Sequence, residues 1–298
     1  MIELGQTLFA GLAQGTLYAL IAVGFVIVYK ATGVLNFTTG GLLMVGAYTA
    51  QQIANVWKLP FGVALIAGAL VAGLVAVAVQ WLALSRMAGK PALTLILMTW
   101  AVLIVLEQVP PAIWGYDVLP MGDPWGIGVT HVGPLSVFTI DAWAIALAGV
   151  VVVSLYLFFR FTRLGIATRA IATDREAAAA QGIRPATIFA LTWFIAGAVA
   201  GLAGVFLGGG SRVVGPELSL LALVAIPAVI VGGMDSPVGA VAGGLLVGVA
   251  EVLTANYAPV YAPWLGKNPQ LVLPYVLLVL ILTVRPQGLL GTRGVRRA

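Results

Sequence analysis

The fold is decided by residues 61–84, FGVALIAGALVAGLVAVAVQWLAL, a run of twenty-four residues without a single charged side chain. A helix that crosses a bilayer needs about 20 consecutive apolar residues, because each residue rises about 1.5 Å through a hydrocarbon core about 30 Å thick. Residues 61–84 meet this requirement on their own. The sequence therefore predicts a transmembrane helix at this position.

The rest of the chain has the same character. Of its 298 residues, 61% are hydrophobic and only 8% are charged, whereas soluble domains are about 45–50% apolar and about 25% charged. So few charged groups cannot coat a globular surface in water, and a lipid environment is predicted instead. The formal net charge of +5 is explained by where the basic residues lie along the chain, and we predict no nucleic-acid partner.

Nine segments are candidate spans. They cover residues 6–29, 35–54, 61–84, 91–110, 138–159, 187–209, 218–233, 237–256 and 270–284. The seventh and eighth are separated by only three residues, so they form either a tight hairpin or a pair in which one segment is re-entrant. We predict an all-α, polytopic transmembrane helical bundle of about nine spans (eight to ten), built as a single domain over residues 1–298.

The basic residues orient these spans, because Lys and Arg accumulate in the cytoplasmic loops of membrane proteins. With the N-terminus outside, twelve of the fifteen basic residues lie inside, and Lys58, Arg212 and Lys267 lie outside. We therefore predict an N-out/C-in arrangement with an odd number of spans. The basic C-terminal sequence GTRGVRRA favours keeping that end inside.

Two connections between spans are long. Residues 111–137 are predicted to lie outside, and their Pro and Gly signals indicate turns. Residues 160–186 are predicted to lie inside, with an alanine-rich centre that follows Thr173-Asp174 and ends at Gly182. Thr or Asp is a good N-cap and Gly is a good C-terminal stop. A short cytoplasmic helix is therefore predicted at about 174–182.

This inner helix reads E-A-A-x-x-x-G over residues 176–182. Small alanine side chains would let a short helix fit into a groove of a partner, and neighbouring arginines would pair with carboxylates there. The competing interpretation is a solvated loop, since alanine is simply the best helix former.

Five stretches resemble, in the same order, the branched-chain amino-acid permeases of the LivH/LivM type, and the LivH branch in particular. They are residues 33–48 with Asn36-Phe37, Gly40 and Gly46-Ala47-Tyr48, the stretch TRLGIATRAIATDREAAAAQGI at 162–183, residues 197–204, the glycine-rich residues 231–251, and RPQGLLG at 285–291. Together they cover nearly the whole chain, and each lies at a compatible span boundary.

The resemblance implies a permease subunit of an ATP-binding-cassette (ABC) importer in the bacterial inner membrane. It would move leucine, isoleucine or valine, or a related small amide, urea or acid, by alternating access. It implies a heterodimer with a second, related permease, two cytoplasmic ATPase subunits that hold ATP and Mg, and a periplasmic substrate-binding protein. The residues expected to couple to the ATPases are Arg169, Asp174, Arg175, Glu176, Ala177, Ala178, Gly182 and Ile183.

The residues that open the second span, three of them polar, are the candidates for the substrate path. These are Asn36, Phe37, Thr38, Thr39, Gly40 and Gly41. The two glycines would permit an irregular backbone, which membranes tolerate only where it faces protein or water. The competing interpretation is hydrogen bonding between helices. The family usually has Ala-His-Gly where this chain has Thr38-Thr39-Gly40, so the sequence leaves the exact substrate open.

Other chemistry is not predicted. The chain contains no G-x-x-x-x-G-K-[ST] motif, so ATP must bind to separate subunits. One histidine and no cysteine cannot form a His/Cys metal site, and we predict no catalytic residue, no cofactor in this chain and no enzyme activity. The alternative functions are a motor-independent secondary transporter or channel, which predicts acidic residues near mid-span, and a membrane scaffold, which leaves the inner helix unexplained.

Overall fold

The computed structural model describes residues 2–87, 89–121, 128–133, 135–209 and 213–291. Arg212 and the basic residues at 292–298, which contributed to the predicted orientation, lie outside these ranges, as does part of the predicted outer loop. Within the described residues the helices are α1 (Ile2–Thr32), α2 (Thr39–Gln51), α3 (Phe61–Val79), α4 (Ala92–Trp114), α5 (Thr139–Phe161), α6 (Arg163–Thr173), α7 (Arg175–Ala180), α8 (Pro185–Leu207), α9 (Leu218–Gly232), α10 (Pro237–Tyr261) and α11 (Leu273–Val284). The fold class predicted from the sequence, an all-α polytopic bundle, is confirmed.

Short irregular pieces extend several of these helices. α2 continues into a π-helical turn at Gln52–Val56, and α3 continues into another at Gln80–Leu84 followed by a 3₁₀ turn at Ser85–Met87. Two more 3₁₀ turns, Pro263–Leu265 and Pro269–Leu271, join α10 to α11. The apolar run 61–84 thus forms one continuous helical rod, as its composition predicts.

Six helices of the described chain are long and apolar enough to cross a membrane: α1, α3 with its extension, α4, α5, α8 and α10. α9 and α11 are apolar but shorter, with 15 and 12 residues, and α2 has 13. The chain is therefore a multi-pass membrane protein. The count of nine spans and the N-out/C-in orientation stay predictions.

Glycines set the closest approaches inside the bundle. α1 packs most extensively on α10, and α8 on α3. A methyl group at Gly15 of α1 would lie 2.8 Å from the Cα atom of Leu245, and one at Gly68 of α3 would lie 2.6 Å from the carbonyl oxygen of Gly46 in α2. Helices associate in lipid mainly through such close packing, because burial of apolar surface drives little between them.

The neighbouring helices α9 and α10 pack together and are joined by a tight turn. Whether both helices cross the membrane or one is re-entrant stays a prediction, like the span count. The Ser236 hydroxyl accepts a hydrogen bond from the backbone N–H of Gly239 at 3.0 Å and so caps α10. Residues 285–291 fold back onto this turn. The backbone N–H groups of Leu289 and Leu290 donate to the carbonyl oxygens of Val231 (2.8 Å) and Gly232 (3.0 Å). The RPQGLLG stretch therefore clamps this turn.

The end of the bundle that holds residues 115–121, 128–133, 135–138 and 262–272 is named the outer end, following the predicted orientation. It contains two small antiparallel sheets: β1 (Leu119–Pro120) pairs with β4 (Val213–Val214), and β2 (Val129–Val132) pairs with β3 (Leu135–Phe138). Sequence reasoning predicted only turns over 111–137. α4 also extends to Trp114, inside the region predicted to be a loop.

The opposite, inner end holds residues 162–184, where the sequence predicted a loop with one short helix. The structure has two helices there. α7 corresponds to the predicted helix at 174–182, whereas the eleven-residue α6 was not predicted. α6 is amphipathic with little net apolar character, so a search for long apolar runs misses it.

Candidate functional site

The polypeptide between α1 and α2 is not helical over residues 33–38. Gly33 has a φ of +71°, a conformation that is costly for residues with a Cβ atom. Thr99 of α4 contacts this segment. Its hydroxyl accepts a hydrogen bond from the backbone N–H of Phe37 (3.4 Å), and its one proton lies within reach of the carbonyl oxygens of Ile96 in α4 (2.8 Å) and Leu35 (3.3 Å). The Phe37 ring also packs edge-on against Trp100, with 5.2 Å between centroids.

The polar side chains of this break are buried and bonded to one another. Asn36, Thr38 and Thr39 are each 1% exposed or less. The Asn36 Oδ1 atom accepts hydrogen bonds from the backbone N–H of Thr38 (3.1 Å) and from its hydroxyl (2.5 Å). The Nδ2 atom of Asn36 has no hydrogen-bond partner among the described residues. A buried amide donor without a partner is costly, so this nitrogen is a candidate contact for a bound polar group.

Gly40 and Gly41 lie within the regular helix α2, so the irregular backbone that they would permit is not found there; the irregular segment is 33–38. Both glycines permit close packing instead. A methyl group at Gly40 would lie 2.8 Å from the carbonyl oxygen of Ser219 in α9 and 3.3 Å from Leu103, and one at Gly41 would overlap Leu106. Larger residues at these positions would push α2 away from α4 and α9.

These contacts also fix the depth at which α2 begins. Leu103 is the central residue of α4, which runs from Ala92 to Trp114. The first turn of α2 therefore lies near the middle of the bundle rather than at its surface. Discontinuous helices that begin at this depth are typical of transport sites, because the N-terminus of a helix carries a partial positive charge.

No side chain caps the N-terminus of α2. Thr38 occupies the N-cap position, but its hydroxyl donates to Asn36 and makes no capping hydrogen bond. The first N–H groups of α2, which no side chain caps, and the Nδ2 atom of Asn36, three residues before Thr39, are thus potential donors in the same part of the chain. Such an arrangement can bind a carboxylate, which needs several N–H donors and a favourable dipole.

Further along α2, polar atoms appear that sequence reasoning did not select. Tyr48, Thr49 and Gln51 are buried, and one polar atom of each has no hydrogen-bond partner among the described residues; the same holds for the indole nitrogen of Trp193 in α8. Tyr48 also stacks on Trp114, with ring centroids 6.0 Å apart. The sequence could have indicated these residues only as polar groups inside apolar runs. Tyr48 was noted in the sequence, but only within the stretch that resembles the family.

The inner helix α7 is well defined at both ends. The Asp174 carboxylate accepts hydrogen bonds from the backbone N–H groups of Glu176 and Ala177, each at 3.0 Å. At the other end Gly182 has a φ of +85°, and the N–H groups of Gly182 and Ile183 donate to the carbonyl oxygens of Ala179 and Ala178. This is a Schellman stop. The predicted cap and the predicted stop are both confirmed.

The coupling residues expected from the resemblance divide into three environments. Ala178 is buried in a small cluster with Ile171 and Ile188, and Ile183 packs against it. The Arg175 guanidinium lies 5.1 Å from the ring centroid of Phe189. Glu176, Ala177 and Gly182 are exposed, as are Ala179, Ala180 and Gln181. The exposed part of α7 therefore forms a small, mostly alanine surface at the inner end.

Arg169 does not join this surface. Its guanidinium donates a hydrogen bond to the carbonyl oxygen of Arg160 at 3.4 Å, at the end of α5. Arg169 is only six residues from Arg175 in the sequence, but Arg169 lies on α6 and contacts the end of α5, whereas Arg175 begins α7 and contacts Phe189 of α8. For metals, the described residues contain no group of three or more His, Cys, Asp or Glu side chains that could hold an ion.

Comparison with known proteins assigns almost the whole chain to one family. Residues 7–282 match the family described as "Branched-chain amino acid transport system / permease component". The chain is 31% identical to the high-affinity branched-chain amino acid transport system permease protein LivH of Escherichia coli (strain K12), over 98% of this chain and 97% of that protein. It is also 31% identical to the corresponding permease protein BraD of Pseudomonas aeruginosa, with the same coverage.

A solved structure shows a similar fold at much lower sequence similarity. One chain of PsaBC from Streptococcus pneumoniae in complex with Fab superposes with a TM-score of 0.51 at 11% identity, covering 93% of this chain and 91% of that one. At this identity the similarity concerns the fold alone. It supports the helical arrangement described above and carries no information on what is transported.

Proposed function

Because this chain belongs to the family of permease components of branched-chain amino acid transport systems, we propose that it is the permease subunit of an ABC importer for leucine, isoleucine and valine. The family is a transport component and not an enzyme, as the sequence predicted. The chain is a multi-pass protein of the inner membrane. Beyond membership of the family, we propose that ATP drives transport, that branched-chain amino acids are the substrates, and that individual residues have the roles given below.

Coupling is proposed to act through α7. What supports it is the exposed surface of Glu176, Ala177, Ala179, Ala180 and Gln181 on a helix held rigidly by Asp174 and Gly182. Small side chains leave space for a groove on a cytoplasmic ATPase. Ala178 and Ile183 transmit movement of α7 to α6 and α8 through the cluster they share. Arg175 and Arg169 contribute by holding neighbouring elements, not by direct contact.

The substrate is proposed to pass the N-terminus of α2. A branched-chain amino acid carries a carboxylate, an ammonium group and an aliphatic side chain. The uncapped N–H groups of α2 and the Asn36 amide would receive the carboxylate. Tyr48, Thr49 and Gln51 offer further polar contacts toward the outer end. Every residue of α2 is buried, so opening this path requires the surrounding helices to move, as alternating access demands.

The partners follow from these roles. Two ATPase subunits that bind ATP and Mg would dock on α7 and on its counterpart in a second, related permease. A periplasmic substrate-binding protein would dock at the outer end, where Pro120, Val213 and residues 129–131, 136 and 138 of the strands are exposed. α5 and α4 bury few of their residues within this chain, and these faces are available to lipid or to the second permease.

The coupling proposal is tested in proteoliposomes that contain the complete importer. The variant Ala177→Trp adds bulk to the exposed surface of α7, so we expect ATP turnover stimulated by the loaded binding protein to fall at least about tenfold, the effect of losing a contact worth about 1.4 kcal/mol. Ala92→Trp, exposed at the inner end of α4, is the matched control and should stay near the parent value.

Two outcomes would overturn the proposal. If Ala177→Trp supports normal assembly and stimulated ATP turnover, α7 is not the coupling element. If leucine uptake continues after ATP depletion while an ion gradient is present, the chain acts as a secondary transporter, as the alternative interpretation states.

A further inference from the structure

A cavity of about 700 Å³ lies at the inner end of the bundle, between α1, α5, α6 and α10. It is open on one side and is separate from the break between α1 and α2. Its walls are formed mainly by aliphatic and aromatic side chains, among them Val23, Ile27, Val152, Phe159, Val238 and Val241. Neither the coupling surface nor the proposed substrate path uses this space.

Three cationic side chains also line the cavity: Lys30 at the end of α1, Arg160 at the end of α5, and Arg169 on α6. All three are exposed, and no acidic residue is among the lining residues that the structure describes. Arg169 is anchored by its hydrogen bond to the carbonyl oxygen of Arg160. Arg160 is held by the Tyr156 hydroxyl and by the faces of Tyr156 and Phe161. Two of the cations therefore have neighbours that orient them toward the cavity edge.

The chemistry of the cavity selects its occupant. An apolar interior with cations at its edge fits an amphiphilic anion, in which a phosphate meets the cations and an acyl chain fills the interior. A zwitterionic amino acid fits poorly, because no carboxylate is available for its ammonium group. The basic sequence at 292–298 does not match either, since like charges repel.

We propose that this cavity binds an anionic phospholipid from the inner leaflet, with its phosphate on Lys30, Arg160 and Arg169 and one acyl chain between α1, α5 and α10. Basic pockets between transmembrane helices on the cytoplasmic side are known to suit such head groups. The bound lipid would tie α6 to α1 and α5. Because α6 leads directly into α7, the lipid would stabilise the platform that carries the coupling surface.

The test uses the full chain purified together with its partner subunits and native mass spectrometry to count bound lipids. Dioleoylphosphatidylglycerol and dioleoylphosphatidylethanolamine are the probes. We expect the anionic lipid to bind at least about fivefold more tightly, which corresponds to one cation at the membrane surface. The triple variant Lys30→Gln, Arg160→Gln and Arg169→Gln should weaken anionic lipid binding by about tenfold or more.

Matched variants separate a site from general surface charge. Arg86→Gln with Lys90→Gln removes two exposed cations at the same end of the bundle and should leave binding unchanged. Val241→Trp fills the cavity and should reduce binding of both lipids. Val238→Trp, at a more exposed lining position, serves the same purpose if the first variant does not fold.

Three results would overturn the proposal. If the Arg86/Lys90 control loses as much anionic lipid binding as the triple variant, the lipid is attracted by general surface charge and not by the cavity. If millimolar inorganic phosphate displaces the lipid, the three cations bind a free anion and not a lipid head group. Binding to the isolated chain but not to the assembled complex would show that an acidic surface of a partner subunit covers the cavity.

Discussion

α2 and α7 are the two elements to which the sequence assigned a function, and they are built in opposite ways. All thirteen residues of α2 are buried, and its glycines contact other helices directly. Only one of the six residues of α7 is buried, and the helix owes its form to a cap at Asp174 and a stop at Gly182. α2 is fixed by its surroundings, whereas α7 is fixed by its own ends.

The difference shows where function can be separated from folding. A change in α2 alters packing with α3, α4, α8 and α9 at once, so its effects on transport and on stability are difficult to distinguish. A change on the exposed surface of α7 leaves the bundle intact. Variants in α2 should therefore lose assembly and transport together, whereas variants on the exposed surface of α7 should lose ATP turnover while assembly of the bundle is retained. The expected effects fall in size from the packing of α2 to the cap of α7.

The largest effect is expected where α2 crosses α8. In Gly46→Leu the new side chain would overlap the backbone of Gly201, and backbone cannot move aside as a flexible side chain can. Overpacking of this kind costs about 1–3 kcal/mol or more, so the purified protein should aggregate or melt at much lower temperature. Gly149→Leu on α5 has open space around it and should fold normally. Equal stability of the two variants would contradict the packing described for α2.

The next effect separates the polar function of residues 33–38, just before α2, from the packing of α2 itself. Asn36→Asp keeps an acceptor for Thr38 but removes the Nδ2 donors. We expect leucine uptake to fall by about 10- to 100-fold, since a hydrogen bond to a charged group contributes about 1.5–3 kcal/mol, while assembly with the ATPases is retained. Asn256→Asp on α10, whose amide donates to Thr7, is the control. If both variants transport equally well, Asn36 does not contact the substrate.

A smaller effect is expected at the stop of α7. Gly182→Ala places a Cβ atom on a residue with φ of +85°, which costs about 1–2 kcal/mol. Stimulated ATP turnover should drop several-fold, and Gly182→Asn should lose less because Asn adopts this conformation more readily. Stimulated ATP turnover measured for the parent, Gly182→Asn and Gly182→Ala should decrease in that order. Identical activity would mean that the stop is unimportant for coupling.

The smallest effect is expected at the cap of α7. Asp174→Ala removes the acceptor for two backbone N–H groups, at a cost of about 1 kcal/mol. The helix should fray, and hydrogen exchange at Glu176 and Ala177 should accelerate. Thr173→Ala is the matched control, because the Thr173 hydroxyl bonds to the Arg169 carbonyl oxygen and caps nothing. Faster exchange in both variants would mean that Asp174 is not the decisive cap.

Local chemistry explains which features the sequence could predict. The apolar run at 61–84 and the cap and stop of α7 depend on neighbouring residues alone, and both were confirmed. Residues 218–256 left two alternatives because a turn of three residues permits either a hairpin or a re-entrant segment. The structure shows a tight turn there, against which Gly288 packs: a methyl group at Gly288 would lie 2.6 Å from the carbonyl oxygen of Ile230. Because α9 has only 15 residues, the two alternatives stay open.

Long-range contacts explain what could not be predicted. α2 is buried because it packs closely on Gly201 and Gly204 of α8, about 150 residues away in the sequence. A hydropathy profile does not show which distant residues contact one another. Arg169 was grouped with α7 because the two are close in sequence, yet α6 directs its side chain toward α5. The strands at 129–132 and 135–138 were not predicted, because Gly and Pro indicate turns but not which elements the turns connect.

The packing of α1 on α10 has a consequence for biosynthesis. α1 ends at Thr32 and α10 begins at Pro237, so roughly 200 residues separate them, and a ribosome adding about 5–20 residues per second needs about 10–40 s to make them. Throughout that interval Gly11 and Gly15, which later touch Val249 and Leu245, face no partner. A nascent chain arrested before Pro237 therefore presents an unfilled groove along its first helix to the insertion machinery and to quality-control proteases.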